Sequence, residues 1–188
     1  MNRIVIITGV SCSGKTSLQN ELLQRWWNRP LNFTTRKPRT EEALIELWPL
    51  FEWDDFTAPE FDEYVFLSRE NFLKKLKNGD FLEHTNYWWE FYGVSRFLWK
   101  WNTCIVLDPI GRSQVQEHFV RRWIEIETYY MDINKELQLE RLENRWDTEK
   151  QIIRRVRDFK WFSPTNKCVR LNWKEDSDIL ADFIDNNL

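Results

Sequence analysis

The sequence predicts an α/β fold, a parallel sheet flanked by helices with a smaller mixed sub-lobe set into it. Three observations carry this. Apolar, β-branched runs such as RIVIIT at 3–8 and TCIVL at 103–107 read as fully buried strands. Charged stretches with helical spacing separate such runs, and strands alternating with helices give a parallel sheet covered on both faces. The 188 residues suit one compact domain.

Each element follows in order. After the first strand, residues 17–27 place Leu18, Leu22 and Trp26 on one face of a helix. Residues 31–35 and 64–67 read as short strands, and 69–77 as a helix stopped at Asn78-Gly79. Residues 81–89 and 91–94 suggest a strand pair. Strand 103–107 leads into a helix from about Gly111. Residues 123–133 form a strand, 135–145 and 150–162 charged helices, 168–171 a last strand and 178–184 a last helix. The expected organisation is a single domain. Its core is about 1–31 and 95–188, and its sub-lobe about 32–94.

Composition narrows the class. No apolar run approaches the roughly 20 residues that span a bilayer, and IVIITGV is too short for a signal segment. Cys12, Cys104 and Cys168 cannot all pair and lack metal spacing, so free thiols in a reducing cytoplasm are expected. The net charge of −3 weighs against a general affinity for nucleic-acid backbone. Residues 40–63 hold nine acidic residues and no Lys or Arg, so the remainder carries −3 − (−9) = +6. That segment, with its interleaved Trp and Phe, reads as a solvated insertion anchored by aromatics; a lid or partner surface is the sharper alternative. Twelve tryptophans are far above ordinary usage, whereas only five glycines are present. Three of the five, Gly9, Gly14 and Gly93, fall inside motifs and mark backbone needs.

Gly9-Val10-Ser11-Cys12-Ser13-Gly14-Lys15-Thr16 satisfies G-x-x-x-x-G-K-[ST] between a strand and an amphipathic helix. In such a loop, backbone N–H groups from Ser11, Cys12, Ser13 and Gly14 through Ser17 cradle phosphate oxygens at a helix N-terminus. Lys15 reaches the β- and γ-phosphates, and the Thr16 hydroxyl ligates Mg²⁺. ATP is the expected guest, with GTP open on the loop alone. Cys12 is a candidate reactive thiol at a helix N-terminus, although a small loop side chain is the simpler reading. Asp108 ends a buried strand, where a carboxylate can hold Mg²⁺ through water or touch a second substrate.

Further motifs follow. Thr34-Thr35-Arg36-Lys37-Pro38-Arg39 sets two arginines three apart, suited to grip a second phosphate bidentately. EYVFLS at 63–68, DFLE at 80–83 and FYG at 91–93 come next in the chain. In order and spacing these motifs resemble the guanylate kinase family over nearly the whole length. The resemblance implies a P-loop kinase core, a small sub-lobe that binds a nucleoside monophosphate, and an arginine-bearing lid at about 141–155. By the same resemblance, Arg36, Arg39, Tyr64 and Tyr92 hold the acceptor phosphate. Glu83 accepts from the ring N–H and amino group of guanine; an ionised carboxylate is acceptor-only, and guanine offers adjacent donors. Arg145 and Arg155 match the lid arginines, with Arg154 as fallback, and Asn172 matches a position near the adenine. Arg141 and Arg157 read as salt-bridged helix surface.

Two departures bear on base choice. Val94 stands where the family has Ser or Thr facing guanine O6, and Asn32 stands at a second O6 contact, where its NH₂ can donate. One lost neutral hydrogen bond costs about 0.5–1.5 kcal/mol. These changes suit a divergent, phage or mobile-element enzyme acting on a deoxy or modified nucleotide. The expected activity is ATP-dependent phosphorylation of GMP or dGMP. The alternatives are a kinase for a different or modified nucleotide or a nucleic-acid base, and a binding module without catalysis.

Overall fold

The computed structural model describes residues 3–37, 64–96, 102–120, 124–145, 148–162, 164, 168–172 and 176–186. Residues 40–63, Arg39 and the Asn172 side chain lie outside this set. In chain order the elements are β1 (Arg3–Thr8), α1 (Lys15–Gln24), β2 (Asn32–Thr34), β3 (Val65–Phe66) and α2 (Arg69–Asn78). They continue with β4 (Phe81–Tyr87), β5 (Glu90–Ser95), β6 (Thr103–Val106), α3 (Pro109–Val120) and β7 (Glu125–Asp132). The last are α4 (Lys135–Asn144), α5 (Glu149–Arg157), a 3₁₀ turn (Asp158–Lys160), β8 (Val169–Asn172) and α6 (Ser177–Asn186). They fall into two compact units, Met1–Arg29 with Trp99–Leu188, and Pro30–Leu98.

The first unit is built on a four-stranded sheet in the order β6-β1-β7-β8, parallel at every pairing. Strand β1 lies inside the sheet and is buried at all six positions, which is why its sequence runs apolar without alternation. Val5, Ile7, Leu18, Leu22, Cys104, Tyr129, Met131, Leu171 and Ile184 make one core cluster between the sheet, α1 and α6. Gln19, itself buried, donates from Nε2 to the Cys104 carbonyl oxygen at 3.1 Å and ties α1 to β6. Arg25 pairs with Asp178 and Asp182 on α6.

The end of α1 corrects one expectation. Helix 17–27 was to carry Trp26 on its apolar face, but α1 stops at Gln24 and Trp26 is 91% exposed. The N–H groups of Arg25 and Trp27 both return to the Leu22 carbonyl, and Trp26 takes a left-handed φ of 66°. That closing turn reverses the chain, so that Trp27 becomes the buried ring instead. Its indole N–H donates to Asp185 Oδ1, and the Arg3 guanidinium lies 5.5 Å from its ring centroid.

The second unit holds a mixed sheet in the order β3-β2-β5-β4, with α2 beside it. Ser68 caps α2 by accepting from the Asn71 N–H, and Gly79 ends it in a left-handed turn, as the Asn78-Gly79 signal foresees. Phe72 of α2 stacks on Phe81 at 4.5 Å and on Phe91 at 5.3 Å. Phe33 meets Phe81 edge-on. Gly93 makes room for these rings: a Cβ there would come within 3.0 Å of Phe81 and 3.1 Å of Phe72. Strand 81–89 ends earlier than expected, at Tyr87, because Trp88 and Trp89 take φ of 53° and 73° and form a two-residue hairpin turn.

Among the described residues no helix is long and apolar enough to cross a membrane. The three thiols differ in setting. Burial between β1 and α1 pushes the Cys104 pKa up to about 12, whereas Cys12 and Cys168 are partly exposed. Alkylation at pH 8 is therefore expected to label Cys12 and Cys168 in the folded protein and to spare Cys104 until urea is added. Mass mapping of native-state adducts checks this, and early labelling of Cys104 would contradict the burial.

Candidate functional site

The glycine-rich loop expected to cradle phosphates lies wholly within the first unit. Strand β1 ends at Thr8, and Gly9 turns the chain with φ of 147°. A Cβ at Gly9 would sit 2.8 Å from Ser13 Oγ and 2.9 Å from the Met131 carbonyl oxygen of β7. The loop is thus pressed against the neighbouring strand, and glycine is the residue that fits. Gly14, at φ 93°, is the N-cap of α1, so the helix begins at Lys15 and not at 17 as the apolar spacing suggests. Cys12 also has a left-handed φ, 63°. Lys15 folds back over the loop and donates from Nζ to the Val10 carbonyl oxygen at 2.7 Å. Ser13 Oγ is buried with no hydrogen-bond partner among the described residues, whereas Thr16 and Ser17 stand exposed in the first turn.

Two arginines from α4 and α5 reach the same loop. Arg155 donates from Nη1 to Ser11 Oγ at 2.6 Å. Arg141, read from sequence as salt-bridged surface, instead donates from Nη1 to the Cys12 carbonyl oxygen at 3.0 Å. The four-residue spacing from Arg141 to Arg145, which puts both on one helix face, was the available signal for it. Arg145 is the C-cap of α4, and Arg154 lies beside Arg155 in the last turn of α5. Gln138, fully buried on α4, donates from Nε2 to the Arg155 carbonyl at 3.4 Å and joins the two helices. Asp108 caps α3, its Oδ1 accepting from the Gly111 N–H at 2.8 Å, so at least one carboxylate oxygen serves the fold. Asn172 pairs in register with Asp132 at the end of β8.

The second unit gathers Asn32, Glu83, Tyr92 and Val94 on one sheet face. Asn32, Val94 and Glu83 are register partners across β2, β5 and β4, so their side chains share a face. Thr34, Tyr92 and Thr85 form the next row on that face, with Phe66 of β3 opposite Thr34. Glu83 is only 4% exposed, and Val94 is buried. Beyond that row, Tyr64 meets Tyr92 edge-on at 6.0 Å. The Arg36 guanidinium lies 5.1 Å from the Tyr64 ring and 5.0 Å from the Phe66 ring. Its backbone N–H donates to Thr34 Oγ1, which fixes the turn out of β2. One end of the face therefore offers a buried carboxylate and an amide. The other offers a guanidinium between aromatic rings, an arrangement that suits a phosphate.

No family model matches the chain. It is 31% identical over 105 residues to the guanylate kinase of Chlamydia felis, covering 52% of this chain and 44% of that protein. To the guanylate kinase of Anaplasma phagocytophilum it is 31% identical over 134 residues, 64% of this chain and 56% of that one. To that of Fusobacterium nucleatum it is 26% identical over 160 residues, 81% and 76%. The chain thus spans about half the length of the first curated relatives it matches. The crystal structure of the Anaplasma protein superposes with a TM-score of 0.62 at 20% identity, covering 98% of this chain and 83% of that one, which establishes the shared fold. In sequence the chain is thus similar to guanylate kinases over part of its length, and in fold over nearly all of it. A guanylate-kinase fold accounts for the pairing of an all-parallel sheet with a separate mixed sheet.

The tightness of the loop yields a stability prediction. Gly9→Ala introduces a Cβ against Ser13 and Met131 at a φ unfavourable to side chains. A loss of about 1–3 kcal/mol is expected, read as a lower urea midpoint at unchanged slope. A variant as stable as the parent would mean that the loop relaxes freely.

Proposed function

We propose that this protein transfers the γ-phosphoryl group of ATP to a nucleoside monophosphate, with GMP or dGMP as the favoured acceptor. The observation that carries the reading is the buried Glu83 carboxylate, on the same sheet face as Tyr92 and the Arg36–Tyr64 pair. A guanine N1–H and 2-amino group would satisfy that carboxylate, whereas adenine offers no ring N–H there. Asn32, in register with Val94, would donate from its NH₂ to O6.

The donor half follows from the loop. The Lys15–Val10 bond would be exchanged for bonds to the β- and γ-phosphates, and loop N–H groups would hold the remaining oxygens. Thr16, exposed in the first turn of α1, fits an ion held mostly by substrate phosphates; Mg²⁺ there would neutralise phosphate charge. In the transfer, an acceptor phosphate oxygen attacks the γ-phosphorus and the bond to the β,γ-bridging oxygen breaks. That acceptor oxygen is already anionic, so no general base is required. Arg145 and Arg155 would neutralise charge on the moving group, and Arg36, with Arg39, would align the acceptor.

The test is ADP release from Mg-ATP across ribo- and deoxynucleoside monophosphates. GMP or dGMP is expected to turn over, and AMP weakly. Turnover with a pyrimidine or modified acceptor alone would point to a rebuilt base pocket around Val94, and silence with ATP still bound would sink the reading. Lys15→Ala is expected to abolish transfer. Glu83→Gln is expected to lower kcat/KM for GMP by about ten- to a hundredfold, since bonds to a charged group contribute about 1.5–3 kcal/mol. An unchanged GMP-to-AMP ratio in Glu83→Gln would remove that residue as base reader.

A further inference from the structure

One polar group on the acceptor face has no role so far. Thr85 is only 7% exposed, yet its Oγ1 has no hydrogen-bond partner among the described residues. The hydroxyl therefore carries a desolvation cost that no described residue offsets, and a valine of the same shape would avoid it. Its place gives that cost a reason. Thr85 is two residues from Glu83 on β4 and in register with Tyr92 on β5. Its side chain thus stands on the same face, one row from Glu83 toward the Tyr92–Tyr64–Arg36 end. Asn32 Oδ1, in the Glu83 row, is likewise buried with no partner among the described residues. Two positions in adjacent rows of one face, on β2 and β4 with β5 between them, therefore each present a buried polar oxygen with no partner among the described residues.

We propose that Thr85 is a specificity-determining residue of the acceptor site, its hydroxyl hydrogen-bonding the nucleoside between the edge read by Glu83 and the phosphate. This rests on the reading of that face as a nucleoside-monophosphate site. With the base on Glu83 and the phosphate at Arg36, the groups lying along that stretch are the guanine 2-amino group and the sugar 2′-hydroxyl. A hydroxyl can accept from either.

The test uses the full chain with Mg-ATP and the acceptors GMP, dGMP and IMP, comparing wild type with Thr85→Val and Thr85→Ser. Thr85→Val is expected to raise KM for GMP about three- to tenfold, the value of one neutral hydrogen bond. It should leave kcat and the KM for ATP unchanged and give a thermal midpoint at or above that of wild type. Thr85→Ser should restore the GMP KM. The valine penalty should vanish with IMP if the 2-amino group is the partner, or with dGMP if the 2′-hydroxyl is; either result supports the proposal. An unchanged GMP KM overturns it, and so does an equal rise for all three acceptors. A wild type that neither binds nor phosphorylates a guanine nucleotide overturns the acceptor reading and this proposal together. A wild type that does so, with an indifferent Thr85→Val, overturns the proposal alone.

Discussion

The first unit depends on how closely the loop after β1 approaches β7. Gly9 leaves a buried parallel strand so close to β7 that a Cβ there would lie within 3 Å of Ser13 Oγ and the Met131 carbonyl oxygen. At the other end of the loop Gly14, in a left-handed conformation, is the N-cap of α1. The arginines of α4 and α5 are then held by the loop itself, through the Cys12 carbonyl and Ser11 Oγ. Lys15 is held the same way, through Val10. A loop with any wider turn would lose these bonds together, because each uses a loop atom whose position the turn sets.

The second unit depends on a different constraint, the period-two alternation of its sheet. Phe33 and Gly93 face the aromatic core under α2, while their neighbours Asn32, Thr34, Tyr92 and Val94 face the other way. A slip of one residue in β5 would bury Tyr92 under α2 and expose the space that Gly93 keeps free. The ring packing of Phe72, Phe81 and Phe91 therefore fixes the register that aligns Glu83, Thr85 and Tyr92. The hairpin tip at Trp88-Trp89 holds two bulky residues at left-handed φ. A two-residue connection whose twist matches that of the flanking strands takes such a conformation at both central residues in its type I′ form.

Much of this was legible in the sequence, for identifiable reasons. Buried strands such as β1 and β6 announce themselves by uninterrupted apolar runs, and the loop by its glycines and lysine. The row of Asn32, Val94 and Glu83 came from motif order, and the sheet register brings the three together. What failed were features set by closing turns and by contacts between distant residues. Trp26 carries the right spacing for the α1 face, but the Leu22 carbonyl captures two N–H groups and ends the helix first. Arg141 looked like surface because its partner, a backbone carbonyl in the phosphate loop, has no sequence signature. Thr85 sits in an alternating strand where a threonine is ordinary; its buried oxygen, without a partner among the described residues, distinguishes it.

Buried polar oxygens without protein partners are informative about where a protein expects company. Each lowers stability, so a fold that keeps one either satisfies it with a ligand or tolerates it for another contact. Among the described residues, Ser13 Oγ lies in the phosphate loop, and Asn32 Oδ1 and Thr85 Oγ1 lie on the acceptor face. Gln138 Oε1 is of the second kind. Its amide nitrogen spans from α4 to the Arg155 carbonyl, so the unsatisfied oxygen accompanies a bond that positions α5. Had such atoms been scattered through the apolar core of either unit, they would have argued for imperfect packing. Their grouping in the loop and on the Glu83 face argues instead for two places with unmet polar demand, which the proposed function would fill with a phosphate chain and a nucleoside.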